Sequence, residues 1–295
     1  MRVFVTGASG FIGSAVVPEL LGAGHKVVGL ARSDESARAL EAAGAEVHRG
    51  SLDDLASLRA GAAQSDGVIH LAFKHDFSQF EASARTDASA IETLGAALEG
   101  SSRPLVIASG LLGLVMGRFS TEADPSPAGW LRGRSEETMI ALAARGVRTS
   151  IVRLPPSVHG KGDHGFVPHL IASASEHGVA VYVGDGASRW PAVHRLDTAR
   201  LFRLALESAP PSSRLHAVGD EGVPTREIAD VIGRRLGVPV VSKSHNEAAE
   251  YLGFLALFFA LDAPASCALT REQLGWRPVE PGILADIDSA NYFAS

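Results

Sequence analysis

The stretch VTGASGFIGS, residues 5–14, sets Gly7, Gly10 and Gly13 between a run of strand character, RVFVT, and a run of helical character, SAVVPELLGAG. Glycine at these places permits a tight turn, close approach of a ligand to the backbone, and close packing of helix on strand. The helix that follows offers unpaired N–H groups and the positive end of its dipole to an anion. A glycine triplet alone is a weak signal. Placed directly after a first strand and opening the first helix of a βαβ unit, it points to the diphosphate of a dinucleotide.

Outward from that turn, β-rich apolar runs alternate with helical stretches. HKVVGLA is followed by SARALEAAG, then AEVHRG, GVIHLAF, a helix over residues 82–99, PLVIASG, a helix over 135–145, and VRTSIVRL. Buried parallel strands read as continuous apolar runs, and the helices between them supply right-handed crossovers. The pattern predicts an α/β protein with a Rossmann-type, doubly wound parallel sheet of six or seven strands. After Pro155 and Pro156 the rhythm breaks into a segment rich in Gly and His, and from Pro224 onward the chain reads as mostly helical. AVHRLDTARLFRLALE and RLHAVGD return one helix and one strand to the first unit. The expected division is a nucleotide-binding domain over residues 1–155 plus about 190–220. A smaller, interleaved substrate lobe takes 156–189 and 221–295. The run YLGFLALFFALDAP, residues 251–264, predicts a core or lid helix, or a subunit interface.

Composition narrows the class. The chain has 295 residues, 46% hydrophobic and 20% charged, with a net charge of −6. No Lys/Arg cluster offers a footprint for nucleic acid. The longest apolar run, GFLALFFAL at 253–261, is far shorter than the ~20 residues a membrane-spanning helix needs. Cys267 is the single cysteine, which excludes an internal disulfide and suits a reducing compartment. The chain opens on the strand pattern MRVFV rather than on a charged, apolar leader, so a cytoplasmic location is expected. The expected partners are a small-molecule substrate and, as one option, a second copy in a homodimer, with neither nucleic acid nor membrane.

TGASGFIG resembles the TGxxGxxG fingerprint of the short-chain dehydrogenase/reductase superfamily in its extended, epimerase/dehydratase-like branch. VIHLA resembles that family's fourth strand, and PLVIASG its fifth strand with a terminal serine. LPPSVHGKGD is similar to RPxxVYGPGD, GDGASRWPAVHRLDTARLFRLALE to GDGxxxxxxVHVDDVAxAxxxALE, and LTREQLGWRP to the closing segment. The likeness spans nearly the whole chain. It implies dinucleotide contacts from Gly7, Ser9, Gly10, Phe11, Ile12 and Gly13, from Leu71, Ala72 and Phe73 at the end of the fourth strand, and from Ser109 and Pro155 around the nicotinamide. The family's GDLxD adenine contact falls on Ser51 in RGSLDDL, with Leu52 able to flank the ring. Asp53 and Asp54 read as residues opening the next helix.

At the end of the second strand an acidic residue favours NAD, and a basic one favours NADP by pairing with the 2′-phosphate. The acid position falls on Ala31, followed by Arg32, whose planar fork suits phosphate, and Ser33, which adds a hydroxyl. NADP(H) is therefore expected over NAD(H), against the nearby negative charge of Asp34.

The family's reaction uses a Tyr hydroxyl as acid/base and a Lys four residues later, on the same helix face. In WLRGRSEET, residues 130–138, those positions fall on Arg132 and Glu136, and the family's serine falls on Leu111. A shift of register does not restore the pair. The three tyrosines are Tyr182, Tyr251 and Tyr292; four residues beyond the first two stand Gly186 and Leu255, and the third has no such residue. Arg132 stays protonated and is a poor acid/base; with Glu136 it reads as a structural ion pair. Histidine can transfer protons near neutral pH, which makes His75 and, in reserve, His164 the catalytic candidates. His159 and His194 read as structural. A metal site from His159, Asp163 and His164 matches no closed ligand set, so none is expected. The expected function is an NADP(H)-dependent oxidoreductase on a small carbonyl or alcohol, working without Tyr-x-x-x-Lys. The alternatives are a sugar-type epimerase or dehydratase, and a non-catalytic NADP(H)-binding sensor or regulator.

Overall fold

The computed structural model describes residues 1–74, 79–127, 130 and 133–293. The first six strands are β1 (Arg2–Thr6), β2 (Lys26–Ala31), β3 (Glu46–Arg49), β4 (Gly67–His70), β5 (Pro104–Gly110) and β6 (Arg148–Leu154). With a later strand, β10 (Ser213–His216), they form one sheet of seven in the order β10-β6-β5-β4-β1-β2-β3. Every pairing in it is parallel. The chain order reverses between β1 and β4, which is where a doubly wound sheet opens a crevice at its C-terminal edge.

β1, β2, β4, β5 and β6 each feed two cores because both faces of the sheet are covered. Val3, Val5, Ile69, Val106 and Val152 face α1 (Gly13–Gly22) and α7 (Arg195–Ser208), with Val16, Leu20, Phe202 and Leu206 opposite them. Phe4, Val68, Leu105, Ile107 and Ile151 face α3 (Leu55–Ala63), α4 (Phe80–Ala96) and α5 (Gly133–Ala144). The period of two along each strand thus splits an uninterrupted apolar run between two layers. α4 begins two residues earlier than its hydrophobic pattern suggests, and α5 likewise; helix ends fray by that much.

A second core joins α6 (Phe166–His177), β8 (Ala180–Val183), α8 (Thr225–Leu236), α9 (His245–Leu252) and α10 (Leu255–Phe259) around Trp190 and Phe259. β12 (Val240–Lys243) pairs with β8. Three strands link this core to the large sheet: β7 (Ser157–His159), β9 (Arg189–His194) and β11 (Asp220–Pro224), in the order β11-β9-β7. The run at 251–264 is not one helix. Gly253, at φ +55°, ends α9, and α10 is a separate short turn whose Phe254 and Leu257 flank remains exposed. Among the described residues, no helix is long and apolar enough to cross a membrane.

Candidate cofactor and substrate site

The glycine loop is built as its sequence demands. Gly7 has φ +67°, and a Cβ there would stand 2.7 Å from the Ala72 nitrogen and 2.9 Å from the Leu71 carbonyl carbon. At Gly13, the first residue of α1, a Cβ would reach 2.1 Å from the Gly7 oxygen, so α1 starts pressed against the turn. Gly10 is different. Its Cβ would meet only the Gly7 oxygen, at 3.2 Å, leaving room for a ligand rather than for packing. Ser9 and Gly10 are exposed, and Phe11 and Ile12 are half-buried. Leu71 and Ala72 lie against the loop through their backbones, which donate to the Thr6 carbonyl (3.2 Å) and Thr6 Oγ1 (3.3 Å). This open set of N–H groups at a helix start fits a diphosphate.

At the end of β2, Arg32 is exposed and makes no ion pair among the described residues. The Ser33 hydroxyl is engaged elsewhere than expected: it accepts from the Ser36 amide in a capping box that starts α2 (Asp34–Ala42). Asp34 is offset by Arg49, whose Nη2 lies 2.6 Å from its Oδ1. Asp54 caps α3 through the Ser57 amide (3.0 Å), as its sequence position implies, while Asp53 pairs with Lys74 at 2.6 Å. Ser51 Oγ accepts from the Asp53 amide, and Leu52 packs half-buried against the β-sheet core.

The positions where the resemblance would put the catalytic residues hold a closed cluster. The β5–β6 register sets Ser109 beside Arg153, and α5 lowers Glu136 onto both. Arg153 Nε and Nη2 donate to the two Glu136 oxygens at 2.9 and 2.6 Å, and Ser109 Oγ donates to Oε1 at 3.0 Å. Arg153 is 0% exposed and Glu136 2%. Burial raises the Glu136 carboxyl, but the Arg153 hydrogen bonds and charge outweigh it and hold it below its ordinary value. Glu136 is paired with Arg153; Arg132, anticipated as its helix partner, and His75 lie outside the described residues. Leu111 is buried, its amide donating to the Leu154 carbonyl at 2.8 Å, and Pro155 is buried beside it.

A second buried chain runs beneath the glycine loop. Thr6 Oγ1 lies 2.7 Å from His70 Nδ1, His70 Nε2 3.1 Å from Asp87 Oδ1, and Ser135 donates to Asp87 Oδ2 at 2.5 Å. The β1–β4 register, which pairs Thr6 with His70, makes the first link. None of these four stands out in the sequence. A polar residue interrupting an apolar strand, His70 in VIHLA or Arg153 in SIVRL, is the one local signal that could have marked both networks, because buried polar groups need partners.

The three residues weighed for metal go to separate partners. His159 Nδ1 lies 2.8 Å from Asp286 Oδ2, the Tyr292 hydroxyl donates to Asp163 at 2.9 Å, and His164 packs on Phe11. His159 and His194 are register partners on β7 and β9, their rings 5.4 Å apart; burial and the neighbouring His159 lower the His194 pKa.

The model of the NAD-dependent epimerase/dehydratase family matches residues 3–97. An uncharacterized protein of Schizosaccharomyces pombe is 50% identical over 295 residues, 99% of this chain and all of that one. A ketoreductase of Stigmatella aurantiaca that acts on a farnesylated dihydroquinoline oxide is 32% identical over 181 residues, 58% of this chain and 54% of that one. Among solved structures, the dTDP-glucose 4,6-dehydratase DesIV of Streptomyces venezuelae, with NAD and TYD bound, superposes with a TM-score of 0.80 at 19% identity, covering 100% of this chain and 97% of that one. Residues 3–97 match the NAD-dependent epimerase/dehydratase family, and the whole chain shares the fold of a solved dehydratase. The family binds NAD(P), and the glycine loop is its signature here.

Proposed function

We propose that this protein is an NADP(H)-dependent oxidoreductase that interconverts a small carbonyl compound and its alcohol. One observation carries the reading: an open, glycine-built anion site continues to the end of β2, where Arg32 has no ion pair among the described residues and Asp34 is already offset by Arg49. When bound, the dinucleotide supplies or accepts the hydride. The chain's own residues hold it and manage the proton. Ser109 commits its hydroxyl hydrogen to Glu136, so toward a substrate it acts as an acceptor and not as the proton source. Glu136, held ionised by Arg153, has no proton to give at neutral pH.

Two experiments test this. NADPH should bind tighter than NADH in fluorescence titration, and Arg32→Ala should remove most of the difference, ~1–2 kcal/mol for a charge-assisted contact; equal affinities in the unmutated protein would rule out the cofactor assignment. For the proton, His75 follows β4 by five residues and is the candidate donor. With a substrate found by screening small carbonyl compounds, His75→Gln should lower turnover at least ~100-fold and leave NADPH affinity within a factor of ~3. A second reading, non-catalytic dinucleotide binding, is favoured by the closed Ser109–Glu136–Arg153 cluster. It prevails if a broad carbonyl screen yields no turnover while dinucleotide binding is intact.

A further inference from the structure

Phe11 of the glycine loop is held between two side chains from the far half of the chain. The Arg195 guanidinium carbon lies 5.3 Å from the centre of the Phe11 ring, and the His164 ring stands edge-on to it with centroids 5.6 Å apart. Phe11 and Ile12 immediately precede Gly13, the first residue of α1, so their amides belong to the unpaired N–H set that an anion takes. Arg195 is half-buried and makes no ion pair among the described residues. Asp197, two residues on, is not available to it: that carboxylate is taken by Arg200 and by the amides of Val279 and Glu280. A guanidinium keeps its charge, and a partly buried one without a counter-charge is costly.

The surroundings hold Arg195 in this place. A Cβ at Gly160, where φ is +136°, would stand 3.1 Å from Arg195 Cγ and 2.9 Å from His194 Nε2, so the arginine stem crosses bare backbone. The loop that delivers His164 is itself tied down. Asp163 Oδ1 accepts from the Gly165 amide at 2.7 Å, and its other oxygen accepts from the Tyr292 hydroxyl, which in turn accepts from the Gly160 amide at 3.1 Å. A guanidinium lying over an aromatic face keeps its in-plane N–H donors free for a second partner.

We infer that Arg195 binds the diphosphate of the dinucleotide, completing from the start of α7 the anion site that the glycine loop begins. The inference rests on the dinucleotide reading above and goes beyond it, because it assigns part of the cofactor site to a residue far along the chain from the glycine loop. Arg32 discriminates between the two dinucleotides. Arg195 faces the group both share.

Arg195→Met keeps the stem packed on Phe11 and removes the charge. In fluorescence titration it should weaken NADPH and NADH alike, by about tenfold each for one charge-assisted contact, and leave their ratio unchanged. Arg195→Lys should fall between. Raising the salt concentration should weaken wild type more than Arg195→Met. In the unmutated protein, labelling of Arg195 by phenylglyoxal, mapped by mass spectrometry, should slow when inorganic pyrophosphate is added; this arm does not depend on a variant folding. Unchanged affinities in Arg195→Met, or labelling indifferent to pyrophosphate, would overturn the inference alone. If the unmutated protein binds neither dinucleotide, the proposed function falls and this inference with it.

Discussion

A charged side chain in the middle of a buried strand survives only if its charge is met, and Glu136 meets that of Arg153 with two hydrogen bonds at good geometry. Glu136 stands where the resemblance drawn from the sequence would put a lysine. Removing one member of the pair leaves the other charged and buried, which costs ~3–5 kcal/mol. Glu136→Ala should therefore lower the unfolding free energy by that order in urea titration, and Glu136→Gln by less because it keeps the shape and one acceptor. The pH dependence follows from the depressed carboxyl. The unfolded chain takes up the proton first, near its ordinary ~4.3, so the contribution is full above about pH 5 and is lost as pH falls through the lower folded value. In Glu136→Gln the acid limb of the stability curve should flatten. If Glu136→Ala abolished turnover while stability stayed within ~1 kcal/mol of wild type, the cluster would be catalytic and not structural.

At the scale of elements, the strand–turn–helix unit β1–α1 separates two roles that its glycines share in sequence. Gly13 is needed for packing, since its added methyl would meet the Gly7 carbonyl and the Ala8 backbone, neither of which can move aside without shifting α1. Gly10 has space around it and an ordinary φ, so a methyl there projects into the anion site. Gly13→Ala should then destabilise the fold by ~1–3 kcal/mol. Gly10→Ala should unfold close to the wild-type temperature yet bind NADPH at least about tenfold more weakly. Thermal melts with and without NADPH separate the two, and equal behaviour of the variants would refute the division. The element pattern itself was legible: seven strands fall on the apolar runs, and the helices between them on the amphipathic stretches. The run at 251–264 misled because hydrophobicity suggests a continuous helix, whereas Gly253 adopts a left-handed φ that only its tertiary setting reveals.

Across the whole molecule, the C-terminus closes back onto the loop after β7. Tyr292 bridges Gly160 and Asp163, and burial, with the charge of Asp163 next, raises its hydroxyl pKa, so it remains a neutral donor at any physiological pH. Burial also raises the Asp163 carboxyl. Tyr292→Phe strands both partners and should cost ~1–2 kcal/mol of stability by thermal or urea unfolding. A change below ~0.5 kcal/mol would show that water replaces the hydroxyl without loss. The anchor also bears on function, because the loop it fixes carries His164 to Phe11.

The sequence by itself determined the glycine turn, the alternation of strand and helix, the basic end of β2, and the loss of Tyr-x-x-x-Lys. Each is written in neighbours a few residues apart, where backbone sterics and hydrophobic period act. Only the tertiary structure decided which charges meet. Arg153 finds Glu136 because β5 and β6 pair in one register and α5 packs above it; Thr6 finds His70 by the register of β1 with β4; Arg195 finds Phe11 because β7 and β9 turn the later chain back over the first helix. Such contacts join residues far apart along the chain, and no local period encodes them. They follow from how whole layers bury their apolar faces, with the buried polar groups then compelled to find partners in whatever place the packing leaves them.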